Sequence, residues 1–194
     1  MSAKAAATRL NILKKAFELI YRNGYRTTSV DEIIATTQVT KGAFFYHFKN
    51  KDEMGIAMIN EILYPGMTRS ITSHLQHDNP KEAIFRVMKH MLLEDNFFDV
   101  KYGCPAINLV EELASYNTAF NAALQKLTDQ LKKLIEQCLE EGKTAGNLRQ
   151  DTPTEQAALF ILSGYGGARN LGKIYGRSAY TSYLEQLQSY LGGL

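Results

Sequence analysis

The stretch that most constrains this chain is Thr28 to Lys51, TSVDEIIATTQVTKGAFFYHFKNK. Its spacing predicts two short helices joined by a tight turn. In the first, Ser29 to Thr36, the apolar residues Val30, Ile33 and Ile34 recur at i, i+3 and i+4, the pattern of an amphipathic helix. Thr28 or Ser29 offers the N-cap oxygen, and Asp31 or Glu32 stands three residues further on, as a capping box requires. Thr37-Gln38-Val39 is a polar turn with one apolar residue to plug the corner, and a second helix starts at Thr40.

That second helix carries more aromatic side chains than a core can take. Only about half of a short helix faces inward, yet Phe44, Phe45, Tyr46 and Phe48 are aromatic and His47 interrupts them. Phe44 and Phe48, four apart, pack inward together. Phe45, Tyr46 and His47 are left facing outward, flanked by Lys41, Lys49 and Lys51. Apolar contact with thymine methyls, hydroxyl and imidazole hydrogen bonds, and lysines for phosphates are what a helix in a DNA major groove uses. The competing reading is an aromatic cluster packed beneath another domain.

These residues resemble the helix-turn-helix of the TetR family of bacterial transcriptional repressors. The family pattern stands here as Gly24-Tyr25, Thr28-Ser29-Val30, Lys41-Gly42-Ala43-Phe44-Phe45-Tyr46-His47-Phe48 and Lys51, covering about the first quarter of the chain. Phe45 departs mildly from it, because a tyrosine is common at that position. The resemblance implies DNA contacts from Thr28, Ser29, Thr40, Lys41, Gly42, Phe45, Tyr46, His47 and Lys51. Lys51 and the N-terminal backbone amides would serve phosphates, and Lys41, Tyr46 and His47 the base edges.

Charge distribution agrees. Residues 1–51 carry nine Lys/Arg against three Asp/Glu, whereas the remainder carries thirteen against seventeen, so a net of +2 conceals a basic head on a mildly acidic body. A merely solvated basic face has the same count. At 194 residues and 45% hydrophobic content the chain buries a sizeable core, and the scarcity of alternating β-branched runs makes it all-α. No apolar run reaches the length of a membrane span and MSAKAAATRL has no signal-peptide core, so a cytoplasmic location is expected. Cys104 and Cys138 are far apart and outside any CxxC, which indicates neither a zinc site nor a disulfide framework. No cofactor is called for.

The pattern divides the chain into a helix-turn-helix head, residues 1–51, and a helical body, residues 52–194. The first helix is expected over Ala3–Asn23, with Leu10, Leu13, Phe17 and Ile20 on one stripe, Ile12, Ala16 and Leu19 widening it, and Gly24 as its C-terminal cap. The head core is then Leu13, Phe17, Ile20, Tyr25, Val30, Ile33, Ile34, Val39, Phe44 and Phe48. Asn50 caps a fourth helix that runs toward Leu75, and Pro65-Gly66 should kink or break it. Asp78-Asn79-Pro80 opens a helix to about Asn96; Phe97 to Gly103 is an aromatic loop; Cys104-Pro105 starts another helix. A long helix follows from Thr118 to Glu141, ended by Gly142 and Gly146, and the last two span about 154–175 and 178–191. The glycines at 164, 166 and 167 cost helix propensity, about 1 kcal/mol each relative to alanine, and close helix–helix approach is the offset expected. Gly164-Tyr165-Gly166-Gly167 is not a phosphate loop, for it follows no strand and lacks GxGxxG spacing.

No enzyme constellation is present in the sequence. The four histidines form no HExxH, no serine sits in a G-x-S-x-G elbow, and Glu111 and Glu112 point about 100° apart on a helix, so they read as solvated or capping groups. Cys104 falls at a helix N-terminus, where a thiol is more easily ionised. Gly103-Cys104-x-x-x-Asn108-Leu109-x-x-Glu112-Leu113 is similar to a motif in a TetR subgroup that includes electrophile sensors. A buried structural cysteine is the other reading. Cys138, on an apolar stripe, reads as core.

The TetR resemblance further implies a small-molecule effector pocket in the body. Met88, Met91, Leu92, Phe97, Phe98, Tyr102, Cys104, Asn108, Phe120, Tyr165 and Asn170 are the candidates by apolar character with a few polar groups. It also implies a homodimer through the last two helices, a double-stranded DNA operator with palindromic half-sites, and no membrane partner. The whole then reads as a ligand-responsive repressor. The alternative is a helical small-molecule-binding protein without specific DNA binding.

Overall fold

The computed structural model describes residues 2–75, 79–95 and 98–194; Asp78, Asn96 and Phe97, named above, lie outside these. All the regular structure in it is helical. The elements are α1 (Ala3–Asn23), α2 (Val30–Ala35), α3 (Lys41–His47), α4 (Lys51–Met58), a π-helical turn (Ile59–Leu63), α5 (Tyr64–Thr72), α6 (Pro80–Lys89), a second π-helical turn (His90–Glu94), α7 (Pro105–Leu113), α8 (Thr118–Thr144), α9 (Thr154–Tyr175) and α10 (Arg177–Gly193). The backbone divides into two compact units, Met1–Gly66 with Pro105–Gln125, and Met67–Cys104 with Lys126–Leu194. The first therefore takes in α4 and α7 as well as the three helices expected of the head.

In the first unit, the stripe on α1 buries Ile12, Leu13, Ala16, Phe17 and Ile20 against Ile33, Phe44, Phe48, Met54 and Met58. Leu10 is not part of it: at the outer edge of the stripe it remains largely exposed. Val30 and Ile34, expected in the core, are only half-buried, because a helix of six residues has room for one fully covered position, Ile33; Val39, in the turn after it, is half-buried as well. Asn50 caps α4 by accepting from the Glu53 N–H at 2.8 Å. Pro65 does not break the helix that follows. The π-helical turn Ile59–Leu63 directly precedes it, and the Tyr64 N–H bonds to the Ile59 carbonyl five residues back. The wider turn absorbs the donor that proline lacks, so helical backbone continues to Thr72.

In the second unit, α6, α8, α9 and α10 enclose a core of Ala83, Ile84, Val87, Met88, Leu131, Ile135, Leu139, Ala158, Ile161, Leu184 and Leu187. Asn79 caps α6, with Pro80 at its first position. Gly142 does not end α8, which runs on to Thr144; Gly142 instead lies against the Pro80 ring, where a side chain would collide. The chain turns after the helix at Gly146, whose φ of 77° is the left-handed conformation glycine tolerates. Of the three glycines expected to allow close approach in α9, Gly164 does so, against the Tyr183 ring; Gly172, outside that expectation, lies in the same way against Tyr180. Gly167 has nothing near it.

Candidate nucleic-acid interface

The two motif helices are fixed by their own caps. Ser29, not Thr28, is the N-cap of α2: its oxygen accepts from the Glu32 N–H at 3.1 Å, and Glu32 returns by accepting from the Ser29 N–H at 2.6 Å. That backbone hydrogen bond lowers the Glu32 carboxyl below its usual pKa. Thr40 caps α3 by accepting from the Ala43 N–H at 3.2 Å. No acidic residue occupies the first turn of α3, so nothing there offsets the positive end of the helix.

Phe44 and Phe48 anchor α3. Both are buried, with ring centroids 5.7 Å apart, and the Arg9 guanidinium lies 4.9 Å from the Phe48 centroid. The opposite face is open: Tyr46 is 75% exposed and Phe45 46%, although apolar surface of that size is ordinarily covered. His47 is half-buried beside Tyr46, their centroids 5.0 Å apart. Lys41 is exposed and reaches Asp31 at 2.9 Å, a surface pair weak enough to be exchanged for another anion.

Two expected DNA contacts are turned inward. Thr28 is buried, 1% exposed, and its hydroxyl donates to the Gly24 carbonyl at 2.7 Å, so that group closes the turn before α2 and cannot face DNA. The Lys51 ammonium donates to the Tyr25 carbonyl at 2.5 Å and sits 4.3 Å from the Tyr25 ring centroid. Burial lowers its pKa, with Asp52, Glu112 and Glu32 opposing that shift. Ser29, Thr40, Lys41, Gly42, Phe45 and Tyr46 are exposed, and His47 is half-buried.

What holds the motif from behind is a side chain of α7. Glu112 of α7, expected to be solvated or capping, accepts from the Tyr25 N–H at 3.2 Å through Oε1 and from the Arg26 N–H at 3.1 Å through Oε2. Arg26 donates back to the Glu112 carbonyl at 3.0 Å and stacks over Tyr116. Tyr25 donates its hydroxyl to Asp52 at 2.6 Å and packs edge-on against Phe120 at 5.1 Å, both rings closing over Gly55. Burial, then the Asp52 carboxylate, raises the Tyr25 pKa. Only the Glu112-Leu113 end of the Cys104 motif was a signal for this, and it did not indicate a partner.

The candidate effector residues separate. Met88, Met91, Leu92, Phe98, Tyr102, Cys104 and Tyr165 belong to the second unit, whereas Asn108 and Phe120 belong to the first. Phe120 is fully buried against Tyr25 and Gly55, and Asn108 lines a recess with Phe17, Ile20, Met58 and Leu109. Cys104 is buried, and its thiol meets the Tyr165 hydroxyl, whose pKa is raised well above its usual value by burial first and Cys104 next. Beside them lies a residue that sequence could not place, Arg169, wholly buried. Among the described residues, no group of three or more His, Cys, Asp or Glu side chains could hold a metal, and no helix is long and apolar enough to cross a membrane.

An N-terminal helix-turn-helix with an uncovered second helix, followed by a larger helical unit, defines a DNA-binding transcriptional regulator. Residues 12–58 match the bacterial regulatory proteins of the tetR family and residues 82–187 the tetracyclin repressor-like C-terminal domain; the chain belongs to the TetR family. It is thus a helix-turn-helix transcriptional regulator and not an enzyme. It is 30% identical over 158 residues to an uncharacterized HTH-type transcriptional regulator in the lacX 3′ region of Lactococcus lactis, covering 81% of this chain and 80% of that one. It is 26% identical to the HTH-type transcriptional repressor DhaR of Mycobacterium sp. strain GP1, covering 82% and 79%. Among solved structures, a TetR-family regulator from Cytophaga hutchinsonii superposes with a TM-score of 0.89 at 23% identity, over 100% of this chain and 98% of that one. The reduced form of Escherichia coli NemR gives 0.81 at 24% identity, over 95% of each.

Proposed function

We propose that the protein is a ligand-responsive repressor that binds a palindromic operator as a homodimer, residues 1–51 meeting DNA and residues 52–194 carrying the effector site and the dimer interface. The open face of α3 carries the reading. Gly42 adds weight: it is exposed, helical and not at positive φ, and a Cβ there would have nothing within 4 Å except the Thr40 hydroxyl at 4.0 Å. Nothing inside the head requires a glycine that costs about 1 kcal/mol of helix propensity. A sugar-phosphate backbone lying against the first turn of α3 does. Thr40, Lys41 and the α3 N-terminus then meet phosphates, and Phe45, Tyr46 and His47 meet base edges.

A second copy is supported by α9. Phe160, Leu171, Ile174 and Tyr175 are exposed along one side of this helix, with Gly167 open among them. An apolar stripe with a glycine at its centre suits close packing of a symmetry-related helix, and the two heads would then address half-sites about 34–36 Å apart or a multiple of that. An effector among Met88, Met91, Leu92, Phe98, Tyr102, Cys104 and Tyr165 releases the operator if it binds better to a dimer whose heads are misplaced.

The test is selection of genomic DNA fragments by the purified protein at two salt concentrations, with Lys41→Ala and His47→Ala as controls. A palindrome enriched by the native protein and lost in the controls is expected. Binding should weaken steeply with salt, because phosphate neutralisation releases counterions. Enrichment unchanged in both controls, or none at either salt, would refute the reading.

A further inference from the structure

Arg169 is the largest fully buried side chain among the described residues, and its charge is the feature of the second unit that packing does not explain. Its Nε donates to the Tyr165 hydroxyl at 3.2 Å, its Nη1 to the Tyr180 hydroxyl at 3.3 Å and its Nη2 to the Met91 carbonyl. Aromatic faces surround it, with Phe98, Tyr180 and Tyr165 centroids 5.0, 5.2 and 5.6 Å from the guanidinium carbon. All three acceptors are neutral, and among the described residues no carboxylate pairs with it. Burial keeps the Tyr165 proton in place, so that phenol does not become the missing anion. The Met91 carbonyl lies in the π-helical turn His90–Glu94 that follows α6, and a helix C-terminus contributes about half a negative charge. Among the described residues nothing compensates the remainder of the charge.

A buried ion without a counter-ion is costly, and an apolar residue of the same volume is commonly as stable or more so. The fold alone therefore gives no reason for arginine here. The surroundings do. Met91, Phe98 and Tyr165, three of the residues whose character suggested an effector pocket, all touch Arg169, and Cys104 meets Tyr165. Three N–H groups of the guanidinium are engaged out of the five it carries, in the planar fork that suits carboxylate.

We infer that the second unit binds a small organic carboxylate with an apolar body, and that Arg169 is the counter-ion for its carboxylate. The aromatic faces cover the apolar part, and the carboxylate replaces the weakest of the neutral acceptors. This assigns a chemical class to the effector of the repressor proposed above, and it rests on that reading only for the step from occupancy to operator release.

The experiment is thermal unfolding and calorimetric titration of the full chain with hexanoate and benzoate, against hexanamide, benzamide and inorganic phosphate. The carboxylates should raise the unfolding midpoint by several degrees as they saturate, and the amides of the same shape should not. Arg169→Met should weaken carboxylate binding at least tenfold while leaving the unliganded midpoint unchanged or higher. Tyr180→Phe removes one acceptor from the guanidinium and should tighten binding several-fold. The inference is overturned if neither carboxylate shifts the native protein, if phosphate alone does, if Arg169→Met responds like the native protein, or if that variant unfolds many degrees lower without ligand. Operator binding is measured on the same sample without any probe. Its loss counts against the repressor reading, and loss of the carboxylate response with operator binding intact counts against this one.

Discussion

Replacing Glu112 with alanine tests whether α7 holds the DNA-reading motif in place. The carboxylate accepts from two adjacent backbone N–H groups, Tyr25 and Arg26, just ahead of α2. Gly24, at φ 89°, leaves it room: a Cβ there would lie 3.0 Å from Glu112 Oε1. Hydrogen bonds to a charged group contribute about 1.5–3 kcal/mol each when shielded. The Arg26 bond is exposed and the Tyr25 bond part-buried, so after allowance for solvent screening the pair is worth about 2 kcal/mol. Arg26 still donates to the residue 112 backbone carbonyl in the variant, which confines the loss to the carboxylate. For a chain of this size the unfolding midpoint should fall by about 4–8 °C. Hydrogen exchange at the Tyr25 and Arg26 amides should accelerate by up to roughly thirtyfold. Glu112→Gln, with one acceptor oxygen and no charge, should fall between. Operator affinity should drop in the same order, because α2 and α3 are then less well oriented. If both amides keep their protection and the midpoint moves by less than about 1 °C, the brace described here is wrong.

Two further outcomes follow from packing and ionisation. Gly55→Ala puts a methyl 2.7 Å from Tyr25 Cε2 and 2.9 Å from Phe120 Cζ, two constrained rings, and should cost about 1–3 kcal/mol, read as a lower midpoint in denaturant without change of slope. Burial, with Glu141 adding, pushes the Cys138 thiol up to about 11, so in a Cys104→Ser background thiol labelling at pH 8 should be negligible until the protein unfolds. Because the folded state holds that proton more tightly than the unfolded chain, the thiol's contribution to stability is present below the unfolded pKa and is lost as pH rises toward 11. Prompt labelling of the folded protein at pH 8 would contradict the burial of Cys138.

What the sequence determined by itself was local. Periodicity and caps were enough for α1, α2 and α3, because Ser29, Thr40 and Gly24 act on backbone groups within four residues of themselves. The open face of α3 was legible for the same reason: four aromatic residues in five exceed what one side of a short helix can bury. Helix ends were less secure where tertiary contact overrode propensity, as at Gly142 beneath Pro80 and at Pro65 after its π-helical turn. Pairings across long separations were not legible at all. A glutamate that braces a turn 86 residues away has the same local pattern as a solvated one. Arg169 looks in sequence like any exposed arginine on a helix, until Tyr165, Tyr180, Phe98 and the Met91 carbonyl close around it. Hydrogen-bond caps and amphipathic stripes are written within a few residues, whereas the burial of a charge depends on which distant elements come to surround it, and only the tertiary structure decides that.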